Sequence, residues 1–235
     1  MTPLEAYQNR FNAWRDTLSE AQALGAGLII AYHPPIFQGL KRLRSSVPTE
    51  RVILRAVAAG IAIVSPHTAL DAAPGGVNDW LLDSFGGAEL ERAPCLPHAA
   101  DGRFGAGRFV RLAEPIALPD AIARLKRQLG LTQLRAAACP AHAAGTAEIR
   151  SIAVCAGAGG SVFEKLVGFD LFVTGEMRHH DVRARVLGGS SVVLSEHTHT
   201  ERGYLPILAE RLTKQTSGQV AFHVSSCDRD PLSLV

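Results

Sequence analysis

The chain has no apolar run long enough to cross a bilayer. Its longest, such as residues 27–31 and 191–194, fall far short of the roughly 20 residues a span needs. The first residues carry no basic stretch followed by an apolar one, so the sequence predicts no secretory leader and a cytoplasmic location. Charge of one sign is missing too: 24 Lys and Arg against 22 Asp and Glu leave a formal +2, which favours no particular class of partner. Two basic clusters, at residues 41–44 and 124–127, are brief and lack interleaved aromatics. They read as solvated faces, and neither membrane contact nor direct nucleic-acid binding is expected. Cys95, Cys139, Cys155 and Cys227 lie far apart with no C-x-x-C. In a chain without a leader they read as buried thiols rather than disulfides or zinc ligands. There is no G-x-S-x-G and no cysteine with an evident activating base, so covalent nucleophilic catalysis is not supported.

What is present suits an ordinary globular protein: 47% apolar and 20% charged residues over 235 positions, enough for one large domain or two small ones. Thr2-Pro3-Leu4-Glu5 reads as a capping box opening a helix that runs to about residue 24. Strands are predicted at 28–32 and 61–64, with helices at 49–59 and 77–85. Residues 86–107, rich in Gly, Pro and Ala, read as a connection, which divides the chain into lobes 1–95 and 96–235. Alternation then resumes. An exposed strand is predicted at 104–112, then a helix at 119–129, a strand at 149–155, a helix at 161–167 and a strand at 171–173. A helix at 178–187, a strand at 191–195, a helix at 200–213 and a final strand at 220–224 complete the series. The class is α/β, with lobes of mixed and parallel sheet flanked by helices.

In open α/β sheets ligands bind beyond the carboxyl ends of the strands. His33 follows the strand 28–32; His67 and Asp71 follow 61–64; Glu176, His179 and His180 follow 171–173; His197 and Glu201 follow 191–195. His67 and Asp71, like His197 and Glu201, are four residues apart. If those residues turn helically, each pair shares a face with Cβ atoms about 5–6 Å apart. Either pair alone is ordinary structural wiring; their joint placement points to metal. Imidazole nitrogen with carboxylate oxygen suits zinc, iron or manganese better than calcium, and a carboxylate can bridge two ions. Gly157-Ala158-Gly159-Gly160-Ser161 follows a strand and opens a helix, and reads equally as a phosphate cradle or as a tight turn.

Four segments in order, Ala31-Tyr32-His33-Pro34-Pro35-Ile36-Phe37, Ser65-Pro66-His67-Thr68-Ala69-Leu70-Asp71, Thr174-Gly175-Glu176-Met177-Arg178-His179-His180 and Glu196-His197-Thr198-His199-Thr200-Glu201, resemble the Nif-three-like family, the type 2 GTP cyclohydrolase 1 homologues. The resemblance implies two related lobes with a dinuclear metal centre between them, and a homo-oligomeric, hexameric ring. It implies His33, His67, Asp71, His197 and Glu201 as ligands to two divalent transition-metal ions, Glu201 bridging. Glu176, His179 and His180 would line the same cavity and move protons. Tyr32 stands where many members have a second histidine, which makes it a residue beside the ligands. Members usually begin with a further strand and an Asn-x-Gly-Leu segment that this chain lacks. The function so implied is a metal-dependent hydrolase acting on a nucleotide-like or phosphoester small molecule. The alternative is a non-catalytic metal-binding or protein-interaction module that partners transcription or metal-handling proteins.

Overall fold

The computed structural model describes residues 14–230 and residue 232. The capping box at residues 2–5 lies outside them. The chain divides into two compact units, Met1–His67 with Ala209–Val235, and Thr68–Leu208.

In the first unit a helix at residues 14–23 (α1) precedes strand β1 (Leu28–Ile30), helix α2 (Pro48–Ala58) and strand β2 (Ala62–Val64). Proline opens α2, where its missing N–H is one the helix would not have used. Strands β1 and β2 pair in parallel, Leu28 opposite Ala62 and Ile30 opposite Val64. Leu18, Ala21, Ile29, Val52, Ala56 and Ile61 form the core beneath them. Arg44, from the first basic cluster, forks onto the buried Glu50 through its Nε and Nη2, at 3.1 and 2.6 Å, and lowers the pKa of that carboxyl. That guanidinium has an internal use.

The second unit carries helices α3 (Thr68–Ala72) and α4 (Val77–Leu82) and strands β3 (Glu89–Ala93), β4 (Leu96–Pro97), β5 (Gly105–Ala106) and β6 (Arg108–Ile116). Helix α5 (Leu118–Leu129), strand β7 (Arg135–Ala137), helix α6 (Pro140–Ala143), strand β8 (Ile149–Ala158) and helix α7 (Gly160–Phe163) follow. Strand β9 (Leu171–Glu176), helix α8 (His179–Leu187), strand β10 (Ser191–Leu194) and two 3-10 turns follow, and helix α9 (Leu205–Gln215), most of which belongs to the first unit, completes the order. The six-stranded sheet runs β3-β6-β8-β9-β10-β7. Its central pairs β8·β9 and β9·β10 are parallel; the outer pairs are antiparallel. The fold is mixed α/β, as the alternation implies. Strands β8, β9 and β10 are almost wholly buried, which explains their continuous apolar runs.

Several details differ from the sequence reading. Residues 86–107 are no plain connection, because β3 within them pairs with β6. Strand β6 is not exposed: it lies between β3 and β8, with Val110 and Leu112 buried. Residues 220–224 form no strand. Helix α9 starts at Leu205 rather than 200, after 3-10 turns at Thr198–Thr200 and Arg202–Tyr204, with Pro206 in its first turn.

Candidate metal centre

Parallel register builds the first half of the site. Ile30 lies opposite Val64, so three residues on, His33 and His67 leave the carboxyl ends of neighbouring strands. Their ring centroids are 5.5 Å apart. Tyr32 packs edge-on against His33 at 5.0 Å, and Phe37 against His67 at 5.9 Å. His67 has φ +43, a left-handed conformation that non-glycine residues adopt at a cost of about 1–2 kcal/mol. Such strain persists where surrounding structure enforces it, and it clusters at functional positions.

In the second unit three parallel strands end side by side. Ala158 of β8 lies opposite Glu176 of β9, and Leu194 of β10 opposite Thr174. The chain leaving β10 passes through Glu196, again left-handed at φ +64, and presents His197 to both neighbours. His197 Nδ1 lies 3.0 Å from Glu176 Oε1, and its Nε2 lies 3.1 Å from Glu201 Oε1. The predicted four-residue spacing therefore does bring His197 and Glu201 together, over a 3-10 turn instead of an α-helix. Glu201 is buried; Glu176 is half exposed. Hydrogen bonding to Glu201, helped by the charges of both carboxylates and opposed by burial, raises the His197 pKa from its ordinary 6.5 to about 8.

Gly157 shows why glycine stands at the end of β8. It has φ +64, and a Cβ there would lie 2.8 Å from both His197 Nε2 and Glu201 Oε1. The missing side chain leaves room in front of one nitrogen and one oxygen donor, a set that fits zinc, iron or manganese. Asp71 is fixed at the same end of the sheet by Asn78, whose amide donates to the Asp71 carbonyl at 3.0 Å and accepts from Ala156 N at 2.8 Å. Burial, reinforced by the negative charges of Asp71 and Glu201, raises the pKa of Cys155 and keeps that thiol protonated, as the cysteine reading expects.

The glycine-rich turn is a turn. Gly157 N donates to Thr200 Oγ1 at 2.8 Å and Gly159 N to Thr174 Oγ1 at 2.9 Å, so two amides of the would-be phosphate cradle are already used. Helix α7 spans only four residues. Thr174 and Thr200 both stand inside the family segments, where the sequence assigns neither a role. Thr200 also donates to the His197 carbonyl at 2.6 Å, which ties the turn carrying His197 to β8.

A pocket of about 730 Å³ opens beside Glu176, walled among others by Phe163, Glu164, Met177, Arg178 and Asp181. His179 and His180 are not among its walls: they are exposed at the start of α8, their ring centroids 5.9 Å apart. His199, by contrast, donates from Nδ1 to the Ser195 carbonyl at 2.8 Å and is occupied in holding its own turn.

A mixed α/β protein whose parallel strands end on an imidazole–carboxylate pair is a candidate metalloprotein of the open-sheet kind. The Duf34/NIF3 (NGG1p interacting factor 3) family matches residues 11–231, and the chain belongs to that family. It is 37% identical over 219 residues to the NIF3 homologue of Schizosaccharomyces pombe, covering 87% of this chain and 75% of that protein. It is 35% identical over 227 residues to the NGG1-interacting factor 3 of Saccharomyces cerevisiae, covering 94% and 78%. A Lactococcus lactis protein named GTP cyclohydrolase 1 type 2 homolog is 31% identical over 200 residues, covering 83% and 73%. Among solved structures, a hypothetical protein of Staphylococcus aureus superposes with a TM-score of 0.79 at 20% identity, covering 93% of this chain and 83% of that one. A Bacillus cereus protein related to NIF3 gives 0.77 at 20% identity, covering 93% and 86%. These two likenesses support the fold.

Proposed function

We propose that this chain is a metal-dependent hydrolase that holds two divalent transition-metal ions through His33, His67, Asp71, His197 and Glu201 and acts on a nucleotide-like or phosphoester substrate. The observation that carries the reading is the His197–Glu201 pair, 3.1 Å apart, facing the space that Gly157 leaves clear. Nitrogen and oxygen donors of this kind suit zinc, iron or manganese, and Glu201, with two oxygens, is the residue suited to bridge. Bound divalent ions supply a hydroxide near neutral pH and a Lewis acid for the attacked group. Tyr32 packs on His33 and steadies its ring. His179 and His180, exposed beside the pocket segment, are the groups placed to exchange protons with solvent. The pocket beside Glu176 has the volume of a small-molecule site. The name of the Lactococcus relative, a GTP cyclohydrolase homologue, supports a nucleotide-like substrate. A homo-oligomeric ring, hexameric by family resemblance, and a cytoplasmic location belong to the same reading; no described helix is long and apolar enough to cross a membrane.

A second reading, a non-catalytic module that binds metal and another protein, draws on the name of the yeast relative, an interacting factor. Turnover separates the two. Metal-loaded protein is assayed with bis(p-nitrophenyl) phosphate and with purine nucleotides, beside Glu201→Gln. Hydrolysis lost in the variant supports the enzyme. No turnover, with every coordination position filled by protein, supports the module.

A further inference from the structure

Glu176 stands in the third of the four segments, and the family resemblance implies proton transfer for it. Its geometry points elsewhere. Oε1 lies 3.0 Å from His197 Nδ1, on the opposite side of the ring from Glu201, whose Oε1 lies 3.1 Å from Nε2. A neutral imidazole has a single N–H, so two carboxylates compete for it. When Nε2 and Glu201 both face a cation, that N–H belongs on Nδ1, where Glu176 accepts it.

We infer that Glu176 is a positioning residue: it holds the Nδ1–H tautomer and the ring plane of His197, and so leaves Nε2 as the nitrogen that meets metal. The inference rests on the metal-site reading above. Two further features support it. Gly175 permits the close approach that puts Glu176 beside the ring, because a Cβ there would lie 2.8 Å from His197 Cα and 2.7 Å from the Gly157 carbonyl oxygen. The second Glu176 oxygen makes no hydrogen bond among the described residues. A carboxylate on the far nitrogen of a metal-binding histidine fixes its tautomer and raises its basicity; losing such a partner costs about 10–100-fold in metal affinity.

The test compares wild type with Glu176→Ala and Glu176→Gln, each checked for unchanged circular dichroism. Zinc affinity is read by chelator competition, and the His197 tautomer by nitrogen-15 NMR of the zinc-loaded protein. Glu176→Ala is expected to weaken zinc about 10–100-fold and to depopulate the Nδ1–H form. Glu176→Gln, whose amide oxygen still accepts that proton, is expected to recover most of both. Affinity within twofold of wild type in Glu176→Ala overturns the inference. So does weakened affinity with an unchanged tautomer, or an equal loss in Gln and Ala, since either means a plain charge effect. His197→Ala and Glu201→Gln run alongside. If both keep wild-type zinc affinity, the metal-site reading itself falls; if both lose zinc while Glu176→Ala does not, only the role of Glu176 falls.

Discussion

His197 Nε2 and Glu201 Oε1 face each other at 3.1 Å, a nitrogen and an oxygen donor joined by one 3-10 turn and held against the end of β8. That pairing sets the first prediction. With the folded pKa of His197 raised to about 8 from 6.5, the charged ring stabilises the metal-free fold below pH 6.5, and this contribution is lost as pH rises through about 8. Zinc requires the neutral ring, so its affinity runs the other way, strengthening by up to about tenfold per pH unit until the ring is deprotonated. Thermal melts of stripped protein and zinc titrations from pH 6 to 9 should show these opposite slopes. Parallel slopes would mean that His197 does not exchange its proton for metal.

Gly157→Ala should abolish or severely weaken metal binding, because the new methyl enters the space between the two donors at 2.8 Å from each. Gly130→Ala is the matched control: φ is +66 there, but nothing lies within 4 Å of the added Cβ. Both variants should lose about 1–2 kcal/mol from the left-handed backbone. Only Gly157→Ala should lose zinc. Equal zinc affinity in the two would show that the space is not where the ion sits.

Arg108 is buried in β6 and donates to Asp79 Oδ2 at 3.2 Å and to the Ala72 carbonyl at 2.8 Å. Asp79 in turn accepts from Gly75 N at 2.7 Å, so the pair fastens the turn between Asp71 and Asn78 to the sheet. Arg108→Met leaves Asp79 with only the Gly75 amide and the longer Arg92 contact at 3.4 Å, and should cost about 1–3 kcal/mol in urea unfolding. A loss under 1 kcal/mol would mean that Arg92 alone satisfies Asp79.

Much of this was legible in the sequence. The three buried parallel strands announce themselves as unbroken apolar runs, and the histidines just past strand ends point to the carboxyl edge. The His197–Glu201 spacing reports a real contact, although it is reached over a 3-10 turn rather than the α-helical face the spacing implies. Strands β3 and β7 left little signal: Glu-Leu-Glu-Arg-Ala and Arg-Ala-Ala lie at sheet edges, where side chains meet water and need no apolar pattern. The partners of the glycine amides, Thr200 and Thr174, are 43 and 15 residues away. The Glu176–His197 bond spans 21 residues, with helix α8 and strand β10 between them. Tertiary pairing alone creates such contacts, so local pattern cannot foretell them.

The bridging role of Glu201 yields a stoichiometric prediction. Glu201→Gln should lose both ions together, whereas His67→Ala should weaken mainly one, since an imidazole nitrogen binds a single ion and a carboxylate can bind two. Stepwise zinc titration followed by elemental analysis distinguishes them. Equal, partial losses in both variants would mean that no residue bridges.

The central claim, that this chain holds divalent metal through its five nitrogen- and oxygen-bearing residues, is tested most directly by metal content. Protein purified anaerobically, and again after incubation with zinc, iron or manganese and desalting, is measured by inductively coupled plasma mass spectrometry. The account predicts up to two ions per chain, and substantially fewer in the His197→Ala, Glu201→Gln double variant. Wild-type protein that stays metal-free after all three incubations would contradict it.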